Sequence, residues 1–161
     1  MTEGRDDHAR FIKHLDESSK AVFVVAYYLH ELGMDLRIDA IRRSASHAEW
    51  KKFKDDGDLF ILRDGNELRI EVKGSSRSFT KASDWMFPSF FVCAKHSYDL
   101  AEKKPYAYFI LNAERTHAAI VNTDTHSKWG VVTKKDYRYE NMVQQFYTCP
   151  IELVKWKKIR S

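Results

Sequence analysis

The sequence predicts a single α/β domain, on three observations. A run over residues 21–32 is apolar on nearly every side and closes on Gly33. Two further apolar runs flank Asp64-Gly65, a dipeptide suited to a tight turn whose two central residues need positive φ. Beyond residue 88, short apolar runs recur with one helical stretch among them. A length of 161 residues suits one compact domain, and 43% hydrophobic with 14% aromatic residues is enough to form a core.

In chain order, Asp6 or Asp7 can cap a short helix over 8–15 with Phe11, Ile12 and Leu15 as its apolar stripe. Ser18 and Ser19 mark a break or a second cap. Periodicity alone lets the 21–32 run be a buried helix or a buried strand; its length and the glycine stop favour helix. Alternation over 36–41 predicts the first strand. Residues 42–58 are basic and polar with Trp50 and Phe53 among them. Two readings stand for this insertion. Arg42, Arg43, Lys51 and Lys52 can neutralise phosphates while the aromatics stack on unpaired bases, or the stretch is a surface connection whose aromatics pack back on the core.

The hairpin over 57–74 is the organising element. With Asp64-Gly65 as a two-residue loop, Arg63 pairs with Asn66, Ile61 with Leu68 and Leu59 with Ile70, which makes one apolar face. The same register sets Asp58 opposite Glu71, and a side-chain period of two puts Lys73 on the face of Glu71. Two neighbouring carboxylates repel unless a proton, a cation or a divalent metal compensates them. Carboxylate oxygens suit Mg²⁺, which takes one or two of them and keeps several waters. A lysine beside such an ion can orient an attacking water or stabilise charge growing on a phosphate, which is what phosphodiester hydrolysis requires.

Asp58 followed by Glu71-Val72-Lys73 at the end of the next strand resembles the signature of the PD-(D/E)xK nuclease superfamily, the restriction-endonuclease-like fold. Gly57 stands where the family carries a proline, a departure that removes no ligand. The resemblance implies a mixed β-sheet with an αβββαβ core, flanking helices and extra C-terminal strands. It implies a Mg²⁺- or Mn²⁺-dependent endodeoxyribonuclease with Asp58, Glu71 and Lys73 as catalytic residues and with Asp58, Glu71 and the Val72 carbonyl as metal ligands. Many members add a helix-borne glutamate; Glu17 and Glu31 are the candidates here, each also readable as a solvated helix residue. A looser similarity to small phage-encoded members implies a phage origin.

After Gly74, residues 75–83 form a hydroxyl-rich, basic stretch, in which Ser75, Arg77 and Lys81 can hold a scissile strand or simply decorate a loop. Residues 90–93 predict a buried strand, 95–104 a helix closed by Pro105, and 106–111 and 118–121 two strands joined by a turn at 112–115. Residues 129–133 and 151–154 predict further strands, with 134–147 as loop between them. The tail over 155–160 interleaves lysines and Trp156; it is either a contact to nucleic acid or an edge strand whose lysines discourage further pairing.

Cys93 and Cys149 are far apart, and the seven histidines lack metal-helix spacing, so neither a disulfide framework nor a zinc site is expected. No run is long enough to span a membrane and residues 1–7 lack a signal-type apolar segment, from which a cytoplasmic protein is expected. A net charge of +4 favours an anionic partner mildly. The expected partner is therefore DNA, with no membrane and no small-molecule cofactor; a homodimer would suit cutting both strands. The rival expectations are a catalytically silent nucleic-acid binder of the same fold, or an accessory protein that contacts a host protein through its aromatic second half.

Overall fold

A computed structural model describes residues 20–38, 59–136 and 142–160. The chain is mixed α/β and mostly β, with a six-stranded sheet ordered β1-β2-β3-β5-β6-β9 and a three-stranded sheet ordered β4-β8-β7. The strands are β1 (Asp35–Ile38), β2 (Leu59–Arg63), β3 (Asn66–Gly74), β4 (Ser89–Ala94), β5 (Ala107–Leu111), β6 (His117–Asn122), β7 (Gly130–Asp136), β8 (Met142–Pro150) and β9 (Lys155–Lys158). Two helices are described: α1, helical across 20–31, and α2, Lys95–Leu100.

Helix α1 buries Ala21, Val22, Val25, Ala26 and Leu29, a stripe at helical spacing. It stops as expected at Gly33, whose φ is +86°. The Gly33 amide bonds the His30 carbonyl at 2.9 Å and the Met34 amide bonds the Leu29 carbonyl at 3.1 Å, the Schellman pattern that satisfies the last carbonyls of a helix. The chain then enters β1.

The hairpin has the register its sequence predicts: Arg63 faces Asn66, Ile61 faces Leu68 and Leu59 faces Ile70. Asp64 and Gly65 adopt φ of 51° and 77°, the left-handed pair a two-residue turn of this hand demands. β1, β2 and β3 form an antiparallel meander. β5 then joins β3 in parallel, with Glu71 beside Tyr108 and Lys73 beside Ile110. Such a pairing needs a crossover, and the crossover carries β4 and α2. β5 is buried along its whole length, as a strand covered on both faces must be.

The six-stranded sheet separates two cores. On one face α1 packs with Leu59, Ile61, Ile70, Val72, Leu111 and Ile120 in an aliphatic cluster. On the other, Tyr108, Ile110 and Val121 meet Phe79, Phe90 and Tyr147 in an aromatic one. Phe79 is edge-on to Phe90 at 5.7 Å and to Trp156 at 5.4 Å, a favoured aromatic geometry. Asn112, 2% exposed, pins this side. Its Nδ2 donates to the Phe79 carbonyl at 2.9 Å, and its Oδ1 accepts from the Thr116 amide at 2.9 Å.

Three expectations are corrected. Residues 134–147, expected as loop, carry the end of β7 and most of β8 apart from 137–141, which lie outside the described residues. Residues 151–154, expected as a strand, are a 3₁₀ turn over Ile151–Leu153. The Ile151 amide bonds the Pro88 carbonyl at 3.0 Å, and the chain there passes from β8 in one sheet to β9 in the other. The helix expected over 95–104 stops at Leu100, which is 80% exposed. β9 is the predicted edge strand, with Lys155, Lys157 and Lys158 along it. The first expected helix, over 8–15, lies outside the described residues, as do the end of the expected first strand, 39–41, and the whole 42–58 insertion.

Candidate functional site

The site is built on the C-terminal half of β3. Alternation sends Ile70 and Val72 into the aliphatic core and leaves Arg69, Glu71 and Lys73 on the opposite face, half-buried. Arg69 Nη2 donates to Glu71 Oε1, while Arg69 Nη1 donates to the Lys103 carbonyl at 3.0 Å. The two side chains of this ion pair are 16% and 20% exposed, so their attraction is less screened than on an open surface. Lys73 Nζ lies 5.5 Å from the centre of the Tyr108 ring, within range of a cation–π attraction. Burial pushes the Tyr108 phenol far above its usual value, and the neighbouring Cys93 adds to the rise. Burial likewise raises the Cys93 thiol. Both groups stay neutral beside the charged pair.

Beyond Lys73 the chain opens into a cleft of about 680 Å³ between the end of β3 and the second sheet. It is lined by Lys73, Ser75, Arg77 and Trp85 and by residues of β4, the start of α2 and β8. Arg77 is anchored through its backbone: its carbonyl accepts from the Ala113 amide at 2.9 Å and its amide donates to Ser75 Oγ at 3.1 Å. Its guanidinium lies 5.5 Å from the Trp85 ring and 5.6 Å from the Phe87 ring. Among the described residues no aspartate or glutamate lines the cleft. Lys73, Arg77 and His96, with the hydroxyls of Ser75, Ser76 and Ser97, give it the character of an anion-binding surface.

Of the residues singled out from sequence, Lys73, Ser75 and Arg77 line the cleft together, and Glu71 shares the face of β3 with Lys73 without lining it. Lys81 is exposed beside a 3₁₀ turn, its amide directed to Asp84 Oδ2 at 3.3 Å, and is not part of the cleft wall. Glu31 is exposed at the end of α1. From there the chain enters β1 at Asp35, which pairs with Leu62 near the hairpin turn, at the opposite end of β3 from Lys73. Glu31 is therefore not brought to Glu71. Asp58, Glu17, Arg42, Arg43, Lys51 and Lys52 lie outside the described residues.

Among the described residues no three His, Cys, Asp or Glu side chains converge. For a divalent ion, they offer the Glu71 carboxylate and the Val72 carbonyl. Because Arg69 and Ser75 direct backbone bonds toward β5, alternation turns the backbone of Val72 toward β2, the strand that follows Asp58. That donor set fits a hard cation if Asp58 supplies the second carboxylate and Glu71 is shared with or released from Arg69.

Several contributors have no signal at the motif. Arg69 is visible in hindsight, two residues before Glu71 and hence on its face. Tyr108, His96, Phe91 and Phe146 reach the site only because the crossover and the second sheet carry them there. The chain matches no protein-family model, and neither a curated protein nor a solved structure is similar to it.

Proposed function

We propose that this protein is a divalent-metal-dependent nuclease that hydrolyses DNA phosphodiester bonds, with a restriction-endonuclease-like core. The observation that carries the reading is the placement of Glu71 and Lys73 on one face of β3, with Lys73 at the mouth of a cationic cleft that no described carboxylate lines. The order of a helix, an antiparallel meander and a strand parallel to β3 also supports it, with β4 inserted before α2.

In this reading Asp58, Glu71 and the Val72 carbonyl hold Mg²⁺ or Mn²⁺, which when bound polarises a phosphoryl oxygen and acidifies water. Lys73 offsets charge growing on the phosphate and orients the attacking water. Arg77 and Ser75 hold the adjoining backbone phosphate. Arg69 keeps the Glu71 carboxylate oriented while the site is empty of substrate.

The Arg69–Glu71 ion pair favours a second reading, in which the carboxylate is already satisfied and the chain binds nucleic acid without cutting it. The two separate in one assay of plasmid and single-stranded DNA with Mg²⁺, with Mn²⁺ and with EDTA. The nuclease reading expects metal-dependent cleavage, lowered about 100-fold or more by Asp58→Ala and by Glu71→Gln. The glutamine keeps an acceptor for Arg69, so the fold is spared. Salt-sensitive binding with no turnover would establish the second reading. Full cleavage by both variants would remove Asp58 and Glu71 from the mechanism.

A further inference from the structure

Aromatic rings share the lining of the cleft with Lys73 and Arg77. Trp85 and Phe90 are tilted against each other with centroids 4.4 Å apart, and the Arg77 guanidinium lies 5.5 Å from the Trp85 ring. Phe91 and Phe146 stand at its rim, edge to face at 5.8 Å, and Phe91 is 39% exposed. Lys134 Nζ lies 4.7 Å over the Phe91 ring and adds a further cation at the entrance. One space thus presents cations, hydroxyls and flat apolar rings together, and its volume lies within the roughly 300–1,000 Å³ typical of small-ligand sites.

We infer that the cleft is a pocket for an unpaired nucleotide, so that the chain takes single-stranded nucleic acid rather than an intact duplex. A phosphate meets Lys73, Ser75 and Arg77, and the attached base takes the place over the Phe91 ring that the Lys134 ammonium now covers, displacing that ammonium toward its edge, with Phe146 as the neighbouring ring. Both chemistries line one space, and a nucleotide carries both. Stacking on a protein ring requires a base whose face is open, which a base inside a duplex does not offer. Ring stacking accepts any base, so little sequence preference follows.

The inference deepens the nuclease reading by naming its substrate class, but it is tested by binding, without turnover. Fluorescence anisotropy in EDTA would compare labelled oligothymidylate, a duplex of equal length and an abasic oligomer that keeps its phosphates but lacks bases. Oligothymidylate is expected to bind at least tenfold more tightly than either of the others. Phe91→Ala is expected to weaken oligothymidylate about tenfold and leave the abasic oligomer unchanged, while Phe91→Tyr restores binding. Arg77→Ala is expected to weaken both single-stranded ligands. Duplex binding as tight as that of oligothymidylate would overturn the inference. So would an equal loss of both single-stranded ligands in Phe91→Ala with its far-ultraviolet spectrum intact. Preferential single-strand binding without metal-dependent cleavage would sink the nuclease reading and leave the pocket standing; cleavage with duplex preference would do the reverse.

Discussion

The two faces of the six-stranded sheet are made from the same strands and hold different kinds of core. The α1 side is mainly aliphatic, with Leu59, Ile70, Val72 and Leu111 packed with the helix and Phe109 and Tyr28 as its rings. The far side is aromatic, and its rings carry polar atoms: Trp85 Nε1 donates to the Ser89 carbonyl at 2.9 Å and the Tyr147 hydroxyl to Asp99 at 2.6 Å. Branched aliphatic chains pack densely and offer nothing to a charge. Rings with a hydroxyl or an indole nitrogen exclude water while still giving a neighbouring charge a partner. Lys73 is tolerated half-buried beside the Tyr108 ring for this reason, while Arg69 and Glu71 compensate each other there.

Truncation on each face gives the largest test of this contrast. Phe79→Ala is expected to cost about 3–5 kcal/mol and Ile70→Ala about 2–5 kcal/mol in urea unfolding. Only Phe79→Ala should also flatten the near-ultraviolet circular dichroism, because Phe79 packs on Trp85, Phe90 and Trp156. Equal loss of that signal in both variants would mean that the two cores are one unit. A smaller effect is expected at Asn112, where alanine leaves the Phe79 carbonyl and the Thr116 amide without their partner and costs about 1–3 kcal/mol. An unchanged urea midpoint would show that this clamp is dispensable.

The smallest expected effect is on alkaline stability. Burial raises the Cys93, Cys149 and Tyr108 values, and all three residues belong to the aromatic cluster. The folded chain keeps protons that the unfolded chain releases from about pH 8.5 for cysteine and about pH 10 for tyrosine. Stability is therefore full below about pH 8.5 and falls as pH rises toward the raised folded values, by about 1 kcal/mol per thiol one unit above that point. The urea midpoint should drop between pH 7.5 and 9.5, less so in Cys93→Ala. A flat profile would mean that water reaches these groups.

Local chemistry made half of this molecule legible. The hairpin register followed from Asp64-Gly65, because few residues tolerate the φ values that its turn needs. Helix α1 followed from one long apolar run with a glycine stop. The face shared by Glu71 and Lys73 followed from strand parity alone. What the sequence hid depends on distant parts of the chain. β8 buries Tyr147, Thr148 and Cys149 toward its end but leaves Val143 and Gln145 exposed, so its pattern is too weak for a strand assignment. The run over 151–154 alternates like a strand, yet it must turn between sheets. The cleft has no linear signature, since its lining comes from residues brought together only when the second sheet packs on the first.

The parallel pairing of β3 with β5 imposes an order on assembly. The hairpin closes across two residues, so it needs nothing from the rest of the chain. The neighbour of Glu71 and Lys73 on the other side arrives only after residues 75–106 have looped over the sheet and returned, a closure that costs more entropy and proceeds more slowly. Tyr108 is brought home by that loop, and so are the rings of Trp85, Phe90 and Phe91. The charged pair is thus displayed early on a bare ribbon and acquires its enclosure last.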